Sequence, residues 1–189
     1  MRRLPIDFAI DKYGLFARLV NESDAEYIYN LRSNPKLSKY IHKVDSSVES
    51  QRKWIKDYKK REEEGIDYYF IFYKDGKPVG LNRLYNIEGK SFQSGSWLFS
   101  QDAPFGVSFL AQIILREIAF FDWNFEYENC PIGVHVDNVN VLRFDLLAGM
   151  KETGRIIDDE VGEFISLGLT KEDFILGRKR ILRILGFKE

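Results

Sequence analysis

From Phe92 to Asp122 the chain reads FQSGSWLFSQDAPFGVSFLAQIILREIAFFD, and three patterns follow one another in it. Residues 96–100 (SWLFS) form a strand-like run. Residues 101–106 (QDAPFG) form a polar turn with Pro and Gly. From about Val107 the apolar positions Leu110, Ile114, Ile118 and Phe121 recur at steps of four and three, the period of a buried helix face. The first amides of a helix have no partner inside it, and the helix dipole is positive at that end. A pyrophosphate could rest on the amides of Gly106, Val107 and Ser108, with Gly106 allowing close backbone approach. An ordinary strand-to-helix turn carries the same Pro and Gly, so the pattern alone leaves both readings open.

The remaining pattern alternates between the two periods. Residues 13–20 (YGLFARLV) read as a strand, and Asn21 and Ser23 turn the chain into a short helix over 24–33. Asn34-Pro35 stops that helix. Ser46-Ser-Val-Glu49 reads as a capping box opening a second helix, which runs to about Glu64 and ends at Gly65. Residues 68–74 (YYFIFYK) and 77–86 pair as a hairpin across Asp75-Gly76, with Gly80 marking a bulge. Residues 130–136 (CPIGVHV) form a short strand. A helix over 138–147 follows, with Val139, Leu142 and Leu146 expected inward. Residues 151–158 and 161–169 form a second hairpin. Thr170 caps a last helix with a basic outer face. Strands and helices mixed around one β-helix-β unit predict a single α/β (α+β) domain over 1–189, with its core at about 13–170 and a C-terminal helix at 170–186.

Composition narrows the function classes. The 28 Lys and Arg balance 29 Asp and Glu, so overall charge gives no argument for nucleic acid or an anionic membrane. Cys130 is the single cysteine, which excludes an internal disulfide and fits a reducing compartment. No apolar run approaches the ~20 residues of a membrane span. The opening MRRLPIDFAIDK lacks the apolar core of a signal peptide. A cytoplasmic location is therefore expected. Two scattered histidines and one cysteine make no usual zinc set, and no metal is expected.

Gln101-x-x-Pro104-x-Gly106 resembles the coenzyme A loop of the GCN5-related N-acetyltransferases (GNAT family), with Pro104 where that loop usually has its first glycine. Asn138 to Met150 (NVNVLRFDLLAGM) resembles the family's N-x-x-S/A…G-F segment, with Val141 in the small-residue position and Met150 in the Phe position. The resemblance covers about residues 13–170. It implies a mixed, mostly antiparallel sheet of about seven strands with a splayed central parallel pair, flanked by about four helices plus the C-terminal one. It also implies acetyl-CoA as co-substrate, held by backbone of the strand before the loop at Leu98, Phe99 and Ser100. The loop residues Gln101, Pro104, Phe105, Gly106, Val107 and Ser108 would continue that site. A backbone amide near Leu98 or Phe99 would polarise the thioester carbonyl. Asn138 would contact the cofactor or cap the helix that follows it, and Arg143 joins the cofactor set.

A thioester is already activated, so amine acetylation needs alignment, a proton acceptor and oxyanion stabilisation. The resemblance implies a Tyr four residues before Gly149 as acid toward the leaving thiolate. Asp145 stands there, and an ionised Asp cannot act so without a large upward pKa shift. Asp145 is therefore expected at the surface, with water relaying protons. His135, Ser96 and Tyr85 are the catalytic candidates, and His135 competes with a purely structural reading. Arg32, His42, Asn82 and Trp97 are the acceptor-pocket candidates.

Leu31-Arg-Ser-Asn-Pro35, Tyr40-Ile41 and Gln51-x-x-Trp54-Ile55 are similar to the openings of two GNAT subgroups. One acetylates nucleotide-activated amino sugars and usually has His where Gln51 stands. The other acetylates ribosomal-protein N-termini, and spermidine acetyltransferases share the pattern loosely. The expected activity is transfer of acetyl to an amino group of a nucleotide-linked amino sugar. The alternatives are a peptide or polyamine acceptor, or an inactive acyl-CoA-binding module. A small-molecule amine is the expected partner, with no nucleic acid or membrane, and a homodimer is compatible.

Overall fold

The computed structural model describes residues 3–41 and 47–187. The chain opens with a hairpin of β1 (Ala9–Lys12) and β2 (Leu15–Leu19). Tyr13 and Gly14 turn it with φ of 56° and 70°, the paired positive values a two-residue hairpin needs. The sequence pattern gave one strand over 13–20, so β1 is an added edge strand. A single turn at Glu22–Asp24, capped by the Asn21 side chain, leads into α1 (Ala25–Ser33). In α2 (Val48–Glu64) the cap is Ser47, whose hydroxyl accepts from the Ser50 amide at 3.1 Å. The expected box on Ser46 and Glu49 is thus one residue out of place, and Ser46 lies outside the described residues. Gly65, at φ 79°, closes the helix as expected.

β3 (Tyr68–Lys74) sends Tyr68, Phe70 and Phe72 to one face of the sheet and Tyr69 and Ile71 to the other. β4 (Lys77–Glu88) returns across Asp75-Gly76, and Val79 is the extra residue of a bulge where pairing steps from Tyr73–Pro78 to Phe72–Gly80. Gly80 is required there, because a Cβ would stand 2.2 Å from the Phe99 ring. β5 (Ser91–Phe99) leads to α3 (Val107–Glu117), which widens into one π turn at Ile118–Asp122. Then come β6 (Tyr127–His135), α4 (Val139–Leu147), β7 (Lys151–Asp158), β8 (Gly162–Thr170) and α5 (Lys171–Ile184).

The strands form one sheet in the order β1-β2-β3-β4-β5-β6-β8-β7. Every pairing is antiparallel except β5 with β6. Among the described residues, eight strands and five helices give the mixed GNAT-type sheet that the resemblance implies, with one strand more than expected. Apolar side chains from α3 and α5, among them Ile114 and Phe174, cover one face of the sheet with Phe70 and Phe72. Ile28 of α1 and Ile55 and Tyr58 of α2 cover the other with Tyr69 and Ile71. α4 differs from expectation: Val139 and Leu146 are exposed, and Phe144 and Asp145 face inward. Among the described residues, no helix is long and apolar enough to cross a membrane.

Candidate active site

The parallel pair β5 and β6 stays together only at Ser91–Tyr127 and Phe92–Glu128. Beyond these positions each strand bends. On β5, Ser96 and Trp97 together oppose the single residue Asn82 of β4, and Ser96 takes φ 50°. On β6, residues 131–133 bulge against Ser166 of β8. Pro131 has no amide for a ladder, and a Cβ on Gly133 would lie 2.6 Å from the Ile165 carbonyl oxygen. The two bulges open a wedge between residues 94–98 and 133–135, with Asn138 and Val141 at its rim. Leu37, Tyr40 and Ile41 reach it from the segment after α1.

Backbone amides alternate in direction along a strand. The Ser100 amide donates to the Val79 carbonyl, so Leu98 also points toward β4. The Phe99 amide faces the opposite way, into the wedge. Past the strand, Gly106 stands at the N-cap of α3 with φ 85°. No side chain caps this helix, and no carboxylate stands in its first turn. That end is left positive and open to an anion. Of the three amides expected to hold a pyrophosphate, Val107 already donates to the Pro104 carbonyl at 3.2 Å.

Beneath the wedge lies a buried polar cluster. Arg116 of α3 donates from Nε to Glu128 Oε2 at 2.7 Å. Its Nη2 donates to Asp145 Oδ1 at 3.1 Å and lies 3.0 Å from Met150 Sδ. The Ser94 hydroxyl donates to Glu128 and accepts from Gln112 Nε2 at 2.9 Å, while Asn82 donates to Gln112 Oε1. Arg116, Glu128 and Asp145 are 1%, 0% and 5% exposed. Burial pushes the Asp145 carboxyl up to about 6; Arg116 opposes the rise and Glu128 adds to it. Burial, with Glu128 beside it, also pushes the Cys130 thiol well up, away from thiolate chemistry. The expectation of a surface Asp145 is therefore overturned: it sits in the floor of the wedge, held by Arg116.

A family model described as "Acetyltransferase (GNAT) domain" matches residues 15–150. The chain belongs to the GNAT acetyltransferase family. Among solved structures, apo FdhC, described as a nucleotide-linked sugar GNAT, is 32% identical with a TM-score of 0.79, and the match covers 96% of this chain and 100% of that one. RimJ from Mycobacterium smegmatis, solved with CoA-disulfide, is 17% identical with a TM-score of 0.77 over 91% and 89%. Spermidine N-acetyltransferase from Vibrio cholerae, solved with CoA and spermine, is 15% identical with a TM-score of 0.72 over 87% and 98%. No curated protein matches in sequence. The family uses acetyl-CoA, and the GNAT wedge, the inward Phe99 amide and the uncapped α3 have the shape and polarity to receive it.

The wedge gathers Ser96, Trp97, Leu98, His135 and Asn138. Asn138 stands at the N-cap of α4 without making a side-chain cap bond and lines the wedge. His135 has both ring nitrogens at backbone groups, Nε2 at the Val161 carbonyl (3.2 Å) and Nδ1 at the Asp137 amide (3.1 Å), and Tyr40 stacks on the ring. Neither nitrogen is left for proton transfer in this arrangement. Trp97 packs on Phe144 and donates to the Ser108 carbonyl, on the α3 side of the sheet. Asn82 is fully buried on the same side, in the polar cluster.

Tyr85 lies on β4 across Gln93, and its ring leans over Gly95, where a Cβ would stand 2.9 Å from it. Burial raises its phenol to about 12, so it is a hydrogen-bond donor at neutral pH. Arg83 lies over the Tyr85 ring. The Tyr69 hydroxyl is buried, with Arg32 and Ser96 as its polar neighbours, and burial raises its phenol. Gln101, Phe105 and Arg143 are exposed on the loop and on α4. His42 lies outside the described residues. Sequence reasoning missed Arg116, Gln112, Glu128, Ser94 and Tyr69. One signal was present: Gln112 and Arg116 stand four apart on a mostly apolar helix, so they share one face of it.

Proposed function

We propose that this acetyltransferase moves acetyl from acetyl-CoA to a primary amine of a nucleotide-activated amino sugar. The observation that carries the acceptor class is the end-to-end 32% identity with a structure described as a nucleotide-linked sugar GNAT. RimJ and the spermidine N-acetyltransferase are 17% and 15% identical.

In this reading the pantetheine arm lies in the wedge along residues 98–100. The Phe99 amide meets the thioester oxygen, where negative charge develops. The pyrophosphate rests at the start of α3 around Gly106 and Ser108, with Gln101, Pro104, Phe105 and Val107 shaping the loop. Asn138 and Arg143 contact the cofactor from the α4 side. The acceptor enters from the α1–α2 face, where Arg32, Tyr69, Tyr85 and Ser96 offer one cation and three hydroxyls to a polar ligand. Charge and hydroxyl donors together suit a phosphorylated sugar better than a polycation, which Arg32 would repel.

The test is acetyl transfer from acetyl-CoA to three acceptor classes, with products identified by mass spectrometry. Nucleotide-activated amino sugars are expected to give a kcat/KM at least tenfold above ribosomal-protein N-terminal peptides and polyamines, about the 1.4 kcal/mol that one good polar contact supplies. A peptide or polyamine turned over faster would remove the sugar reading and leave the acetyltransferase.

A further inference from the structure

Among the described residues, five other than glycine hold a positive φ: Tyr13, Asp75, Asn86, Ser96 and Asn124. Asn and Asp take that conformation at little cost, because their short side chains bond the local backbone. Tyr13 turns the first hairpin. Ser96 fits neither case. It stands inside β5 at φ 50°, in the bulge where it and Trp97 oppose Asn82. Glycine would hold the same φ without strain. A strained residue kept in a cleft points to work done by its side chain. Ser96 lines the wedge.

The neighbour of the Ser96 hydroxyl is that of Tyr69, with Arg32 of α1 on the same phenol. Tyr69 is 1% exposed, and Trp54 at 5.9 Å and Tyr58 at 6.2 Å clamp its ring edge-on. The direction of these groups follows from what each can donate. A guanidinium only donates, so Arg32 takes a lone pair of the phenol oxygen. Burial raises the phenol, which keeps its proton at neutral pH. That proton turns to the Ser96 oxygen and leaves it one lone pair for the wedge.

We propose that Ser96 is a catalytic residue, whose hydroxyl oxygen accepts one N–H of the incoming amine and so turns the nitrogen lone pair toward the thioester carbon. Tyr69 and Arg32 are the positioning residues that hold the hydroxyl in that direction. The role rests on acetyl transfer in the wedge and applies to any amine that the protein accepts. The nitrogen lone pair forms the C–N bond, and the C–S bond breaks with its electron pair on sulfur. The N–H on Ser96 stays in the amide. The other amine proton leaves to water, and water returns one to the sulfur. Ser96 gains and loses no proton; its contribution is alignment.

Ser96→Gly tests this without endangering the fold, because it removes the hydroxyl and relieves the strained φ together. Its thermal midpoint is expected at or above that of the wild type, and its affinity for acetyl-CoA within about twofold. Its kcat, with the best acceptor of the three classes above, is expected on the order of 30-fold lower. Tyr69→Phe keeps the ring packing and is expected to lower kcat about fivefold. In the double variant the phenol has nothing left to hold, so kcat is expected to equal that of Ser96→Gly alone. A purely structural tyrosine would lower it further. A Ser96→Gly kcat within about threefold of wild type overturns the proposal. So does a double variant in which the two losses multiply, or a Ser96→Gly midpoint more than about 3 °C below wild type, which would assign the hydroxyl to the fold. With an active wild type, those results leave the acetyltransferase standing and remove only the role of Ser96. A wild type that acetylates no amine removes the functional reading and that role together.

Discussion

Arg116 and Glu117 stand side by side on α3, and each is the hub of an ion cluster. Glu117 is held by Lys12 at 2.8 Å, by the Tyr13 hydroxyl at 2.7 Å and by Arg178. Those partners come from β1, the first hairpin turn and α5, so this hub ties both ends of the described chain to the central helix. Its cations reach water: the Lys12 side chain is 40% exposed. Arg116 points to the other side, under the wedge, where both partners are carboxylates and none is solvated. A surplus positive charge at the rim is relieved by solvent, whereas a surplus negative charge in the core is relieved by a proton. The first arrangement fastens the fold. The second gives the site a titratable group.

That contrast is breakable, and the largest effect belongs to the inner hub. Arg116→Met should cost about 3–5 kcal/mol in urea denaturation, because two carboxylates lose their buried cation. A loss below about 1 kcal/mol would mean that the inner cluster is solvated after all. Next is pH. The Asp145 carboxyl in the folded protein is raised to about 6 from a usual 3.8, so the folded state binds the proton more tightly than the unfolded chain. Its contribution is complete below about pH 4 and is lost as pH rises to and through 6, by up to about 3 kcal/mol. The stability difference between wild type and Asp145→Asn should shrink across that window; a flat difference contradicts the buried charge surplus.

The outer hub should respond less. Glu117→Gln is expected to cost about 1–2 kcal/mol by thermal unfolding, since Lys12 and Arg178 can turn to water once the carboxylate is gone. Lys12→Ala should cost under about 0.5 kcal/mol and show a salt-dependent effect. If Lys12→Ala and Arg116→Met proved equally damaging, the distinction between the hubs would be lost.

Much of the frame was legible because local signals agreed with the fold. Asp75-Gly76, Gly65 and Thr170 each mark a boundary that the structure places where the pattern puts it. β1 escaped because AIDK is too short to show a period, and its partner's turn looked like part of a strand. α4 was misread because the apolar residues of VNVLRFDLL fall on more than one side, so its inward face is settled by Trp97 and Phe109 packing on Phe144, not by its own pattern. Asp145 was misplaced for a related reason. Its environment is made by Arg116 and Glu128, which are distant in sequence and brought together by the splay of β5 and β6. The wedge itself rests on bulges at Ser96 and Gly133, marked in the sequence only by small residues and, on β6, by Pro131.

The central claim is that acetyl-CoA lies in the wedge with its pyrophosphate at the start of α3. Calorimetric titration of acetyl-CoA into the wild type and Gly106→Trp tests it most directly, with desulfo-CoA and ATP as comparison ligands. Gly106 holds a left-handed φ of 85° and an added Cβ would meet Leu185 at 2.7 Å, so the indole must displace the loop. The account predicts micromolar binding to the wild type and loss of at least about 100-fold in the variant, the equivalent of two polar contacts. Equal affinity in both proteins would place the cofactor elsewhere and contradict the assignment of the loop.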